Sequence, residues 1–263
     1  MVSLPHLREL SIIAQPPHSI LLDHLSIPPS ASLRLEFTFS GGESPVPSYL
    51  PRSPKNLHNL SHITALNLNL ASGKRFARLN GPSGELYILA NWTQGIDEPS
   101  VGVSRFWRSL LDRFDVSKNQ RLAITWCNYQ PSASHRPSAS ARIETWAFYQ
   151  TLHSMGNLRT LTLARCNNLP FILTLNPNEN SSKIVLCPRL EEVILYVRVL
   201  GHFRINELLG MAEERASRGA KLSTISIVIL GEEYVPKKEV FPLRKHVSRV
   251  EYRFDDTLPE WDT

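Results

Sequence analysis

The chain has 263 residues, 42% of them hydrophobic and 20% charged, with 19 prolines against 12 glycines. That apolar content excludes wholesale disorder, which needs low hydrophobicity and high net charge, and the length suffices for a sizeable core. The net charge of +5 is dispersed, with loose groups at Arg105, Arg108, Arg113 and Arg121 and again from Lys237 to Arg253. A nucleic-acid surface wants a dense basic stripe with interleaved aromatics, so nucleic acid is not an expected partner.

Cys127, Cys166 and Cys187 are odd in number and lack metal-ligand spacing, which predicts buried, reduced thiols in an intracellular protein. The opening segment Met1 to Arg8 has no basic region followed by an unbroken apolar stretch, so no signal peptide is expected. The densest apolar run, Ile225 to Leu230, has the length of a strand and not of a membrane span. A cytoplasmic or nuclear protein follows, and the glycosylation-type triplets at Asn59, Asn91 and Asn180 read as chance.

In chain order, one spacing recurs: apolar, two residues, apolar, one residue, apolar. It appears at Leu7, Leu10, Ile12; at Ile63, Leu66, Leu68; at Leu158, Leu161, Leu163; at Leu190, Val193, Leu195; at Leu222, Ile225, Ile227; and at Val247, Val250, Tyr252. Weaker copies lie at Leu33, Leu35, Phe37, at Leu86, Ile88, and at Leu122, Ile124, Trp126. Successive copies sit roughly 20 to 40 residues apart, the range of solenoid repeats. The last two apolar residues of each copy alternate with other residues, so a short strand puts them on one face. The first tucks in from the preceding turn. One such unit cannot bury its apolar face alone, so the units must stack.

Helical patterns lie between several of these strands. Ser104 caps a segment carrying Phe106, Trp107, Leu110, Leu111 and Phe114. A second runs from Glu144 to Met155. A third runs from Ile205 to about Arg218, with Ile205, Leu208, Leu209 and Ala212 at helical spacing and Gly219 at the C-terminal cap position. Strand, turn, helix and strand at a near-fixed period predict an α/β fold, an irregular leucine-rich-repeat-like solenoid with a parallel sheet and an outer helical layer. It spans residues 1–254 as one domain, followed by an acidic tail at 255–263. The Ser/Pro-rich stretches 40–56 and 128–140 read as inserted loops, with Ser44-Pro45 and Ser53-Pro54 as possible phosphorylation dipeptides.

The copy MGNLRTLTLARCNNL at 155–169, with Leu158, Leu161, Leu163, Cys166 and Leu169, resembles the cysteine-containing leucine-rich repeat of F-box proteins. CPRLEEVILYV, with Cys187, Leu190, Val193 and Leu195, is similar at its front end. The layout resembles the repeat half of fungal F-box/leucine-rich-repeat proteins, which implies substrate recognition for an SCF-type ubiquitin ligase. The helical F-box of that family has no counterpart ahead of Leu4. Skp1 and cullin are therefore expected partners only where such a module precedes the chain, and a stand-alone scaffold or truncated copy without a ubiquitin role is the alternative.

Catalytic and cofactor signatures are not recognised: there is no nucleophile elbow, phosphate-binding glycine loop or dinucleotide fingerprint. No enzyme, metal or cofactor is expected. His58 and His62 have an i, i+4 spacing without a further ligand, and Asn80 to Gly84 reads as a turn. Selective labelling of Cys127 by thiol probes would revive an enzyme reading. A partner is expected on the sheet face opposite the apolar triads. That face carries Glu9, Ser11, Arg34, Glu36, Asn67 and Asn69, then Arg121, Thr125, Thr160 and Thr162. It continues through Thr224, Ser226 and Val228. Glu192, Ile194, Tyr196, Arg198, Glu251 and Arg253 are the expected contact residues, because aliphatic and aromatic groups rimmed by charge suit a binding hot spot.

Overall fold

The computed structural model describes residues 2–14, 19–39, 54–60, 63–69, 74–81, 84–92, 113–125, 148–164, 169–180, 183–197, 205–230 and 240–255. The chain is mixed α/β, with mostly parallel strands and few helices, and falls into two units, Met1–Asn119 and Gln120–Thr263.

In the first unit, β1 (Val2–Ser3) pairs in parallel with β3 (Leu25–Ser26), with the short helix α1 (Ser19–Asp23) just before β3. Five further strands form a sheet in the order β2 (Glu9–Ala14), β4 (Ser32–Phe39), β7 (Glu85–Trp92), β6 (Lys74–Asn80), β5 (Ala65–Asn69). The first three are parallel. The expected all-parallel sheet is corrected here, because β6 runs antiparallel to both β5 and β7. Residues 81–84 leave no length for a crossover, which takes a dozen residues or more, so the chain can only turn back as a hairpin. Gly81 N–H donates to the Gly84 carbonyl at 2.8 Å, closing the turn expected at Asn80 to Gly84. β6 itself carries no repeat spacing; its alternating Ala77 and Leu79 are fully buried. The inserted loop also ends earlier than 56, since Pro54–Asn56 form a 3-10 turn whose Asn56 Nδ2 donates to the Asp23 carbonyl at 3.1 Å. The stretch 128–140 lies outside the described residues.

The second unit holds five parallel strands in the order β8 (Arg121–Thr125), β9 (Thr160–Ala164), β10 (Glu192–Val197), β11 (Thr224–Ile229), β12 (Arg249–Phe254). The apolar triads lie where the spacing places them: Leu158, Leu161, Leu163, then Leu190, Val193, Leu195, then Leu222, Ile225, Ile227 are all buried. A repeated hydrogen bond sets the level at which each strand starts. Gln120 O accepts from Arg159 and Thr160 N–H, Arg159 O from Glu191 and Glu192, and Glu191 O from Ser223 and Thr224, all at 2.8–3.0 Å. Arg249 N–H then donates to Ser223 O at 2.8 Å.

Residues 148–154 are helical, α2 spans Leu169–Leu175 and α3 spans Ile205–Ser217. Of the helix expected over 104–114, only the end near residue 113 is described, and that residue is helical. Phe148 stacks on Phe171 with ring centroids 3.9 Å apart. The buried stripe of α3 is Leu208, Met211, Ala212 and Arg215, rotated from the expected Ile205, Leu208, Leu209, Ala212. Gly219 takes φ +78° and caps the helix as expected: its N–H donates to Ala216 O, and Ala220 N–H to Arg215 O.

Arg215, a charged residue with no exposed surface, donates from Nη1 to Leu186 O at 2.7 Å and from Nη2 to Cys187 O at 2.9 Å. Cys187 sits at φ +47°, an uncommon conformation for a residue with a Cβ, and its thiol donates to Leu152 O at 3.2 Å. Burial lowers the Arg215 pKa from 12.5 to about 10, partly offset by Cys187. Burial pushes the Cys187 thiol up from 9.0 to about 12, against the lowering influence of Arg215. At neutral pH the pair is therefore a guanidinium and a neutral thiol.

Removing the guanidinium leaves two buried carbonyls without their donor. Arg215→Ala is expected to cost about 3 kcal/mol or more in urea unfolding, since each buried acceptor left unsatisfied costs about 1–3 kcal/mol and the side chain's packing is lost as well. The thiol has the opposite sign of linkage to the usual carboxylate. Between pH 9 and about 10 the unfolded state loses a proton that the folded thiol keeps, so stability falls as pH rises. Above about 10 the guanidinium opposes this, because the unfolded chain then holds the extra proton. Urea titrations should show wild type losing stability relative to Cys187→Ala between pH 9 and 10; parallel curves would show the thiol to be accessible.

Candidate functional site

The face of the second sheet opposite the triads is built from level rows. Arg121, Thr160, Glu192, Thr224 and Arg249 stand side by side at the foot of the strands. Ala123, Thr162, Ile194, Ser226 and Glu251 form the middle row, and Thr125, Ala164, Tyr196, Val228 and Arg253 the upper one. Adjacent strands lie about 4.8 Å apart, so neighbours in a row touch. Thr160 Oγ1 donates to Glu192 Oε2 at 3.4 Å, and Ser226 Oγ to Glu251 Oε2 at 3.1 Å. Arg249 Nη2 lies 2.7 Å from Glu251 Oε1.

Just below the foot row, Arg159 and Glu191 form an exposed ion pair at 3.3 Å, and Arg189 Nη1 donates to Asn157 Oδ1 at 2.7 Å. Arg159–Glu191, Asn157–Arg189 and Thr160–Glu192 each link residues 32 positions apart. Successive copies therefore present equivalent positions to one another. These surface pairs contribute little to stability, since exposed ion pairs are screened and cost side-chain entropy.

The rows are unlike in burial. The foot row is exposed or half-buried, with Glu192 and Thr224 at its centre. Ile194 and Glu251 are half-buried and Arg253 is exposed. Tyr196 corrects the sequence expectation, because it is 7% exposed and packs with Ala164, Val228 and Leu230, with Ile194 against the cluster. The upper ends of β9 to β11 are thus buried on both faces, the usual condition of a parallel sheet. Tyr196 beside Ile194, with Glu192 and Arg198 at either end of the face, reads in sequence as a surface anchor rimmed by charge; here its row neighbours Ala164 and Val228 are small or apolar and make a second core. Arg198 lies outside the described residues. The structure brings Glu192 and Ile194 together with Thr224, Ser226 and Glu251, and sets Arg253 at the outer strand.

In the corresponding row of the first unit, Ser11, Arg34, Tyr87, Arg78 and Asn67, the sequence reading placed Ser11, Arg34 and Asn67 on this face and missed Tyr87 and Arg78. The Arg34 guanidinium lies 5.1 Å from the Tyr87 ring centre, a cation–π distance. Burial raises the Tyr87 pKa, against the lowering influence of Arg34. Arg78 was hidden because β6 has no repeat spacing to reveal it.

Among the described residues, no group of His, Cys, Asp and Glu is arranged to hold a metal ion, and no helix is long and apolar enough to cross a membrane. His58 is exposed in a 3-10 turn, while His62, Cys127 and Cys166 lie outside the described residues. Asn180 is buried and its Nδ2 donates to the Thr174 and Ile184 carbonyls, so this triplet is closed to a glycan. Neither the family models, the curated proteins nor the solved structures contain a match to this chain.

Because Tyr196 is a core residue, Tyr196→Ala should cost about 3 kcal/mol in urea unfolding, as large-to-small aromatic changes in cores do. A loss within about 0.5 kcal/mol, the range of surface substitutions, would return Tyr196 to the surface.

Proposed function

We propose that the chain is a leucine-rich-repeat-type solenoid that binds another protein, through the lower half of the sheet face in its second unit. The observation that carries this reading is the level row Arg121, Thr160, Glu192, Thr224, Arg249 across five parallel strands. Stacked repeats give such extended surfaces, and their hydrogen-bonded backbone fixes the spacing of the side chains without help from the partner. Glu192 and Thr224 supply polar groups beside the half-buried Ile194, with Glu251 and Arg253 toward the outer strand. A few apolar anchors within a charged rim are what recognition of a protein surface uses.

Substrate recognition for an SCF-type ubiquitin ligase is the role supplied by the resemblance of the copies at 155–169 and 187–197 to F-box repeats. A stand-alone scaffold is the alternative from the same geometry. Co-purification separates them: Skp1 and cullin accompany the natural full-length protein in the first case and are missing in the second.

Glu192→Lys combined with Thr224→Lys places two cations at the centre of the face without touching either core. Recovery of the cognate protein should fall by about tenfold or more, with unchanged melting. Undiminished recovery by this folded variant would reject the face as the binding site.

A further inference from the structure

β12 is the last strand of its sheet, and among the described residues it pairs with β11 alone. Its inner partners Ile225, Ile227 and Ile229 are fully buried, but Val250 and Tyr252 are only half-buried and Phe254 is 53% exposed. Tyr252 and Phe254 meet edge to face with centroids 5.5 Å apart. The core face of the sheet therefore runs out to an apolar margin at this strand.

The direction of the backbone groups follows from the ladder. Arg249 N–H donates to Ser223 O and Asp255 N–H to Ile229 O, so the odd-numbered residues turn their peptide groups toward β11. Alternate residues of a parallel strand point the other way, which turns the N–H and C=O of Val250 and Phe254 toward the outer edge. Open edges of this kind template the addition of another strand, and natural proteins normally blunt them with charge.

The charges on β12 have a particular order. In an antiparallel pairing of this strand with a second copy of itself, centred on Tyr252, Val250 comes opposite Phe254 and Tyr252 opposite Tyr252. On the other face Glu251 comes opposite Arg253, and Arg249 opposite Asp255. The outward-pointing residues meet one another, and every charged residue meets its opposite. Sliding the register by one step of two residues in either direction destroys this. One slip sets Glu251 against Glu251 and Arg249 against Arg253; the other sets Arg253 against Arg253 and Glu251 against Asp255. Like charges directly opposite are destabilising and cross-strand opposite charges stabilising, so the register centred on Tyr252 is favoured over both of its neighbours.

We propose that β12 is a self-association edge, along which two copies of this chain join their sheets by antiparallel β12–β12 pairing centred on Tyr252. The interface is isologous, as two-fold symmetry requires, and closes after two copies. It covers the apolar margin at Val250 and Phe254. This inference is independent of the partner reading above, because its readout is the mass of the purified chain with no other protein present.

The experiment is sedimentation equilibrium of the full chain across a dilution series, with Glu251→Arg, Arg253→Glu and an equimolar mixture of the two. Wild type is expected to reach twice the protomer mass. Each single substitution sets two like-charged pairs across the dyad and should weaken dimerisation by about tenfold or more. The mixture restores both opposite-charge pairs between unlike protomers, so it should dimerise again although each component alone does not. That rescue also guards against misfolding, since a variant damaged in its fold is not repaired by mixing. Wild type at protomer mass throughout, single variants that dimerise like wild type, or a mixture that stays monomeric would each overturn the assignment.

Discussion

Three successive copies of the repeat in the second unit meet at the Leu186–Cys187 segment, and a buried cation holds them there. Arg215 reaches from α3 to both carbonyls, while the Cys187 thiol reaches back past α2 to Leu152 in the helical segment 148–154. The left-handed turn at Cys187 aims the chain into β10, and it is costly for a residue with a side chain. It persists because the groups on both sides of it are occupied. A guanidinium suits this position better than an ammonium, since its planar fork reaches two acceptors at once. Among the described residues its Nε finds no hydrogen-bond partner, so the site is specified by the two terminal nitrogens.

With that turn fixed, the strands enter the sheet at one level. The carbonyls at the foot of β8, β9 and β10 each receive two N–H groups from the start of the next strand, which opposes a slip. A slip of one residue in any strand would send its apolar triad to the other face. Level strands make level rows, and rows make a surface whose composition can differ from foot to top. At the foot the side chains are polar and accessible. At the top Ala164, Tyr196, Val228 and Leu230 close into a second apolar layer.

The triads of the second unit could be read directly because each follows the pleat: two apolar residues at period two, with a third three positions earlier. The Gly219 cap was equally readable, since a left-handed position after a helical run favours glycine. Three other features were hidden, each for its own reason. Arg215 stood outside the apolar stripe expected from Ile205, Leu208, Leu209 and Ala212, because a charged side chain gives no sign in sequence that two carbonyls wait for it. β6 went unread, because its residues carry no repeat spacing and its direction was decided by the shortness of the turn at 81–84. Tyr196 reads as exposed, because the alternation that sets its face says nothing about whether that face is covered.

The sequence by itself determined the local elements, the side on which each apolar residue falls and the approximate length of the repeat, since these depend on neighbours a few positions away. Tertiary structure decided which faces are buried twice, where the cation sits and which charges come opposite each other. Those depend on groups tens of residues apart in the chain, brought side by side only when the strands align. The self-complementary order of charges on β12 belongs to both. Its residues were written in the sequence, but their meaning appeared only when the strand became the margin of a sheet with its peptide groups turned outward.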